Sequence, residues 1–130
     1  MRSLQPAGWV RPRGYSNGIE AEGRVVFVAG QIGWDANCEF HEHTLGGQFR
    51  QALRNVLEVL RVAGAGPEHI ARMTMFVTSR EDYVATRPQL GEAWKELMGK
   101  NFPAMAVIIV TGFVEAEAKI EIEATAVIPR

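Results

Sequence analysis

One cysteine, Cys38, stands in 130 residues, so no internal disulfide is available and packing alone must hold the chain. Positive charge is not in excess either. Lys and Arg number 14 against 15 Asp and Glu, net −1, and the basic residues are scattered. That is no footprint for nucleic acid or an anionic membrane. No long apolar run exists: the longest, Ala104 to Val110, falls far short of a bilayer span. The opening Met-Arg-Ser-Leu-Gln-Pro-Ala-Gly-Trp lacks the apolar stretch of a signal peptide, so a cytoplasmic address is expected. Gly30-Gln-Ile-Gly33 is not followed by a helix in phosphate-binding arrangement. Of the three histidines, His41 and His43 flank a glutamate in a polar loop with no further cluster, short of a zinc set, so no metal is expected. Cys38 has no histidine at nucleophile spacing and reads as an inert surface residue.

What is present is the composition of an ordinary globular protein, 47% hydrophobic and 22% charged. One domain over residues 1–130 is expected, long enough to bury a core. Pro6, Gly8, Pro12 and Gly14 mark an irregular lead-in with a short edge strand near Trp9. Tyr15 to Arg24 reads as a strand ending in a turn at Glu22-Gly23, forming a hairpin with the β-branched run Arg24 to Ile32. Gly30 inside that run points to a bulge or to close approach by another group. Residues 33–47 form a polar loop. From Gln48 the period changes: Phe49, Ala52, Leu53, Val56, Leu57, Leu60 and Ala63 make one stripe of a helix ended by Gly64-Ala-Gly-Pro67.

Ala71 to Thr78 is another strand. Ser79 can cap a helical turn, and Pro88 is expected in the first turn of a main helix starting near Thr86, with Leu90, Ala93, Trp94 and Leu97 buried and Gly99 ending it. Two strands close the chain. Residues 104–111 are apolar on both faces; residues 118–127 alternate, with Ile120, Ile122, Ala124 and Ala126 on one side and Lys119, Glu121, Glu123 and Thr125 on the other. Two one-sided helices cover one face of a four- or five-stranded sheet. The bare face then needs cover, and another copy of the chain supplies it, with Glu121 and Glu123 turned toward that interface.

Gly14-Tyr-Ser-Asn-Gly, Val-Phe-Val-Ala-Gly-Gln-Ile, Gln51-Ala-Leu-Arg-Asn-Val-Leu, Phe102-Pro-Ala and Ile120-Glu-Ile-Glu-Ala-Thr-Ala occur in order along nearly the whole chain. Together they resemble the signatures of the Rid (YjgF) family. The resemblance implies an α+β fold of chorismate-mutase-like type, with a mixed, mainly antiparallel sheet and two helices on one face. It also implies a homotrimer around a central barrel, small-molecule ligands in clefts between subunits, and hydrolysis of reactive enamines or imines to a carbonyl compound and ammonia without a cofactor.

Several positions depart from the family pattern. The arginine that follows Phe-Pro-Ala in members acting on amino-acid-derived imines, where it grips the substrate carboxylate, is here Met105, and a thioether cannot replace a guanidinium. The usual serine is Ala29, the usual cysteine Val107, and an asparagine near the second helix aligns with Arg87. Glu121 and Tyr15 are retained. Glu121 is therefore the candidate catalytic residue, since imine hydrolysis needs a carboxylate to deliver water and move protons. Tyr15, Ala29, Gly30, Arg87, Met105, Val107 and Glu123 are candidate ligand-binding positions. Arg87, Arg24 and Arg13 are candidates for a replacement anion anchor. Each has a bland reading beside it: a solvated strand glutamate, a half-buried aromatic, plain packing, a surface charge. The expected activity is deamination of a substrate other than a simple 2-imino acid. A non-catalytic metabolite-binding trimer is the alternative, and a ribonuclease or translation inhibitor, to which the charge balance lends nothing, ranks last.

Overall fold

The structure is a computed structural model that describes residues 1–130. Its strands are β1 (Arg2–Leu4), β2 (Gly18–Glu20), β3 (Arg24–Ile32), β4 (Ile70–Val77), β5 (Ala104–Ile109) and β6 (Ile120–Ile128). Helix α1 (Leu45–Val62) lies between β3 and β4, and α2 (Arg80–Met98) between β4 and β5. The main sheet runs β3-β6-β4-β5, with β6 antiparallel to both neighbours. The β4 and β5 pair is parallel, so α2 is the crossover that parallel neighbours require. No helix is long and apolar enough to cross a membrane. This is the α+β architecture expected, mixed and mostly antiparallel with two helices.

Alternation along β6 decides which face is core. Ile120, Ile122, Ala124 and Ala126 are buried under the helices, whereas Glu121 and Glu123 point away from them. On β4, Met73, Met75 and Val77 continue the buried face. From α1, Phe49, Ala52, Leu53, Val56 and Leu60 close it, each almost wholly buried and the larger ones contributing roughly 1.5–3 kcal/mol. The other face of the sheet has no helix over it. Val25, Phe27 and Ile108 remain exposed there, Phe27 at 79%. The runs read as apolar on both sides are thus buried on one side and bare on the other in the single chain.

Four expectations are corrected. The segment after Tyr15 does not form a hairpin with β3. Ser16 is tied to the opposite edge of the sheet: its hydroxyl donates to the Phe102 carbonyl (2.5 Å), its amide to the Pro103 carbonyl (3.0 Å), and it bridges Ala104. Held there, β2 pairs with β1 instead, Arg2 opposite Glu20. The strand expected near Trp9 lies earlier, at Arg2–Leu4, and Trp9 is exposed outside it. Helix α1 begins at Leu45 rather than near Gln48, because the Thr44 hydroxyl accepts from Gly47 N at 3.1 Å and caps it. Helix α2 does not wait for Thr86. Ser79 caps it through Asp82 N (3.1 Å), and Pro88 sits inside one continuous helix on its exposed side. The amide that proline lacks belongs to a solvated turn, where an unpaired carbonyl one turn back can be hydrated.

One buried polar side chain organises the loops. Gln48 donates to the carbonyls of Glu42 (3.1 Å) and Glu117 (3.0 Å), and its Oε1 accepts from Lys119 N (2.8 Å). It thereby ties the start of α1 to the approach of β6, 71 residues later.

Candidate functional site

Helix α2 packs chiefly on α1, so the helix-side face of β5 is only partly covered. A cavity of about 930 Å³ lies there. Met105 and Val107, side by side with Met73 and Met75 across the parallel pairing, form part of its floor. Arg87 and Trp94 reach it from α2, and Tyr15 from the segment that Ser16 pins beside Phe102. Four residues singled out in the sequence, Tyr15, Arg87, Met105 and Val107, therefore line one cavity. Arg13 joins them; Arg24, at the start of β3, does not.

The remaining positions gather elsewhere. At Gly30 the β3–β6 register shifts, which is the bulge expected, and Gly30 is also closely approached. A Cβ built there would lie 2.7 Å from Glu121 Cδ and 2.8 Å from its Oε1. Gly30 has no left-handed φ, so what demands glycine is the carboxylate beside it. Glu121 is half-buried and makes no ion pair or hydrogen bond within the chain. Ala29 is exposed, its carbonyl accepting from Gln31 Nε2 (3.1 Å). Glu123 is exposed, opposite Thr74 of β4 and beside Arg72. Neither an interface partner nor Lys119 pairs with it in the single chain. The predicted positions thus form two groups, Tyr15/Arg87/Met105/Val107 on the helix side and Ala29/Gly30/Glu121/Glu123 on the strands and face that the helices leave bare.

Electrostatics in the cavity wall were only partly legible in the sequence. The Arg87 guanidinium stands 5.8 Å from the centroid of the Tyr83 ring. Burial raises the Tyr83 phenol above its ordinary pKa, against the pull of Arg87, so it stays protonated at neutral pH. Trp94 and Phe102 stack at 6.4 Å with planes 8° apart. The periodicity assigned Trp94 to the core, and it is buried there, yet it is also cavity wall. Its indole Nε1 is buried with no acceptor in the chain. Tyr83, Phe102 and Lys100 were missed because periodicity identifies a stripe, not the gap beside it.

The polar loop holds a different cluster from the one its sequence suggested. Asp35, Glu39 and His41 converge, while His43 stays apart. The Asp35 carboxylate already accepts from Asn37 N (2.8 Å), Glu39 N (3.0 Å) and the His41 ring (2.7 Å). The Glu39 and Asn37 amides, then His41, hold its pKa below the usual carboxylate range. This closes a loop. Cys38, exposed, has the left-handed φ of 60° at its tip.

The profile of the family described as Endoribonuclease L-PSP matches residues 10–128. Human 2-iminobutanoate/2-iminopropanoate deaminase is 28% identical over 87% of this chain and 79% of its own. A RutC-family protein of Pyrococcus horikoshii is 30% identical over 86% and 85%. Among solved structures, a protein of the conserved Rid family from Yersinia pestis, described as of unknown function, superposes with a TM-score of 0.85 at 33% identity, covering 98% of both chains. TdcF of E. coli, solved with bound serine, gives 0.71 at 25% identity over 98% and 99%. Motifs, fold and relatives converge, and the chain belongs to the Endoribonuclease L-PSP family, the Rid (YjgF) proteins.

Proposed function

We propose that the protein hydrolyses a reactive enamine or imine to a carbonyl compound and ammonia, and that its substrate is not a simple 2-imino acid. The observation that carries this reading is an unpartnered, half-buried carboxylate, Glu121, against which Gly30 leaves room, in a family with imine deaminases among its members. In the reaction water adds to the imine carbon while Glu121 takes its proton. The carbinolamine then collapses to the carbonyl, the proton passes to nitrogen, and ammonia departs. Water is the only co-reactant and no cofactor enters.

Within one chain Glu121 and the cavity lie on opposite faces of the sheet. The reading therefore places the cavity of one copy against Gly30 and Glu121 of the next, in a trimer whose inner surface is the bare sheet face with Phe27 and Ile108. Met105 supplies no charge where a substrate α-carboxylate would rest in the arginine-bearing members. The test is ammonia release above the spontaneous rate over a panel of enamines. Unchanged release by Glu121→Gln would sink the hydrolytic reading. Saturable binding of small metabolites with no turnover of any would favour a binding trimer, for which the uncharged Met105, Ala29 and Val107 speak. A ribonuclease ranks last on net charge, and salt-sensitive retention of RNA would reopen it.

A further inference from the structure

The cavity has a charge pattern that imine hydrolysis alone does not explain. Arg13, Arg87, Lys95 and Lys100 all line it, and no acidic residue does. None of the four makes an ion pair anywhere in the chain, although other arginines do: Arg2 with Glu20, Arg50 with Glu96, Arg61 with Glu58. Four unpaired cations around one recess focus a positive potential into it, and no carboxylate of the same chain neutralises it. None of these cations stands on the sheet. Arg87 and Lys95 belong to α2, Lys100 follows it, and Arg13 precedes Tyr15.

The floor is different. Met75, Met105 and Val107 present thioethers and a branched alkyl group, and the parallel Trp94–Phe102 pair presents flat aromatic surface. Two of these are methionines, which adapt to a planar ligand edge or face. A compact anion such as a three-carbon acid has no apolar body to lay on this floor, and the floor residues offer it no cation. The size of the recess, about 930 Å³, is that of sites holding ligands much larger than that.

We propose that this cavity takes an amphipathic monoanion: a flat apolar or aromatic body laid on Met105, Val107 and the Trp94–Phe102 pair, with a carboxylate set two or more bonds from that body and held at the rim by Arg87 and Lys100. This deepens the reading of the same site given above, since it names the substrate class, and it relocates the anion anchor from the sheet to the helix and its flanking loops. Recognition then depends on the separation between charge and apolar body.

Calorimetric titration tests it with three probes that cannot be hydrolysed as imines: 3-phenylpropanoate, propanoate and the neutral 3-phenylpropanamide. The first is expected to bind at least about tenfold more tightly than either of the others, because the amide lacks the charge-assisted hydrogen bond and propanoate lacks the apolar body, and each is worth about that much or more. Arg87→Gln and Lys100→Gln should each weaken 3-phenylpropanoate by about tenfold and leave the amide unchanged; Arg87 and Lys100 are exposed, and circular dichroism should show both variants folded. Met105→Ala should weaken both aryl probes. Equal affinity for propanoate, equal affinity for the amide, no effect of either cation variant, or no binding of any probe overturns the proposal. The readout is heat of binding, independent of turnover. Unimpaired turnover by Glu121→Gln would overturn the hydrolytic reading alone, and flat titrations would overturn this one alone.

Discussion

Replacing Gly30 by alanine separates stability from chemistry. The added methyl would stand 2.7 Å from Glu121 Cδ, 2.8 Å from Oε1 and 3.0 Å from Cγ, whereas ordinary van der Waals contact begins at 3.4 Å. The carboxylate must therefore retreat by at least 0.7 Å (3.4 minus 2.7). The obstacle is the far end of a flexible, half-exposed side chain, and the Gly30 backbone needs no left-handed φ. Forcing Glu121 off its rotamer costs about 0.5–1.5 kcal/mol. Removing glycine from the unfolded chain returns about 0.4–1 kcal/mol. The net change in stability is within about 1 kcal/mol, a few degrees in melting temperature for a chain of this size. A catalytic group displaced by about 1 Å can lose about a hundredfold in rate. The expected result is a Gly30→Ala protein that melts close to the parent and releases ammonia about a hundredfold more slowly, with Gly30→Ser at least as impaired. The measurements are thermal melting by circular dichroism and ammonia release above background. A variant that melts normally and keeps its rate within twofold would refute the assignment of catalysis to the Glu121 carboxylate at this position.

Gln48→Leu should destabilise by roughly 2–4 kcal/mol, because it strands the Glu42 and Glu117 carbonyls and the Lys119 amide that Gln48 now satisfies; denaturant unfolding would show it, and a loss under 1 kcal/mol would mean that water replaces the side chain. Thr44→Ala should cost about 1 kcal/mol by uncapping α1, with Thr44→Asp close to neutral in the same experiment. Glu96 has its pKa lowered by the Arg50 hydrogen bond and charge, so the pair stabilises the fold above the unfolded-state pKa and is lost as pH falls through the lower, folded value. Side-chain NMR should find Glu96 titrating below an ordinary glutamate and rising in Arg50→Gln; equal titration in both proteins would contradict the pairing. Tyr83 should ionise at a higher pH than a free phenol because it is buried, and an ultraviolet titration comparing Tyr83→Phe with the parent would identify its step.

The legible parts of the sequence were those with a strong period. The stripe from Phe49 to Leu60 and the alternation from Ile120 to Ala126 each bury one side because no other choice hides the branched residues, and the buried faces agree with the period although α1 starts earlier than it indicates. Gly30 was legible for a related reason, since a glycine within a β-branched run needs a physical cause, and Glu121 is that cause. Partner choice was not legible. Nothing in Gly18-Ile-Glu20 says that its strand pairs with Arg2–Leu4, because the decision is made by Ser16, whose two hydrogen bonds reach residues 86 and 87 positions away. Pro88 misled through an average rule: in an exposed turn the missing amide leaves a carbonyl that water can reach. The cavity lay between legible elements. Its wall combines Trp94, which periodicity gives to the core, with cations that the sequence gives to the surface, and only the loose seating of α2 over β5 makes them neighbours.

The position of β6 has a further consequence, in the order of events by which the chain acquires its shape. It is the last of the six strands in chain order, yet it lies inside the main sheet, between β3 and β4. Until residues 120–128 emerge, β3 has no ladder partner in the main sheet, and the sulfur-rich face of β4 borders an empty slot. The nascent chain must therefore carry α1, α2, an unpaired β3 and a β4–β5 pair with one open edge in a collapsed but open state, with Val26, Val28, Met73 and Met75 within reach of other chains. Closing the slot spans sequence separations of about a hundred residues between β3 and β6, which makes it slow and places it late. Synthesis that stalls before Ile120 would leave a species prone to aggregation rather than a shortened working protein.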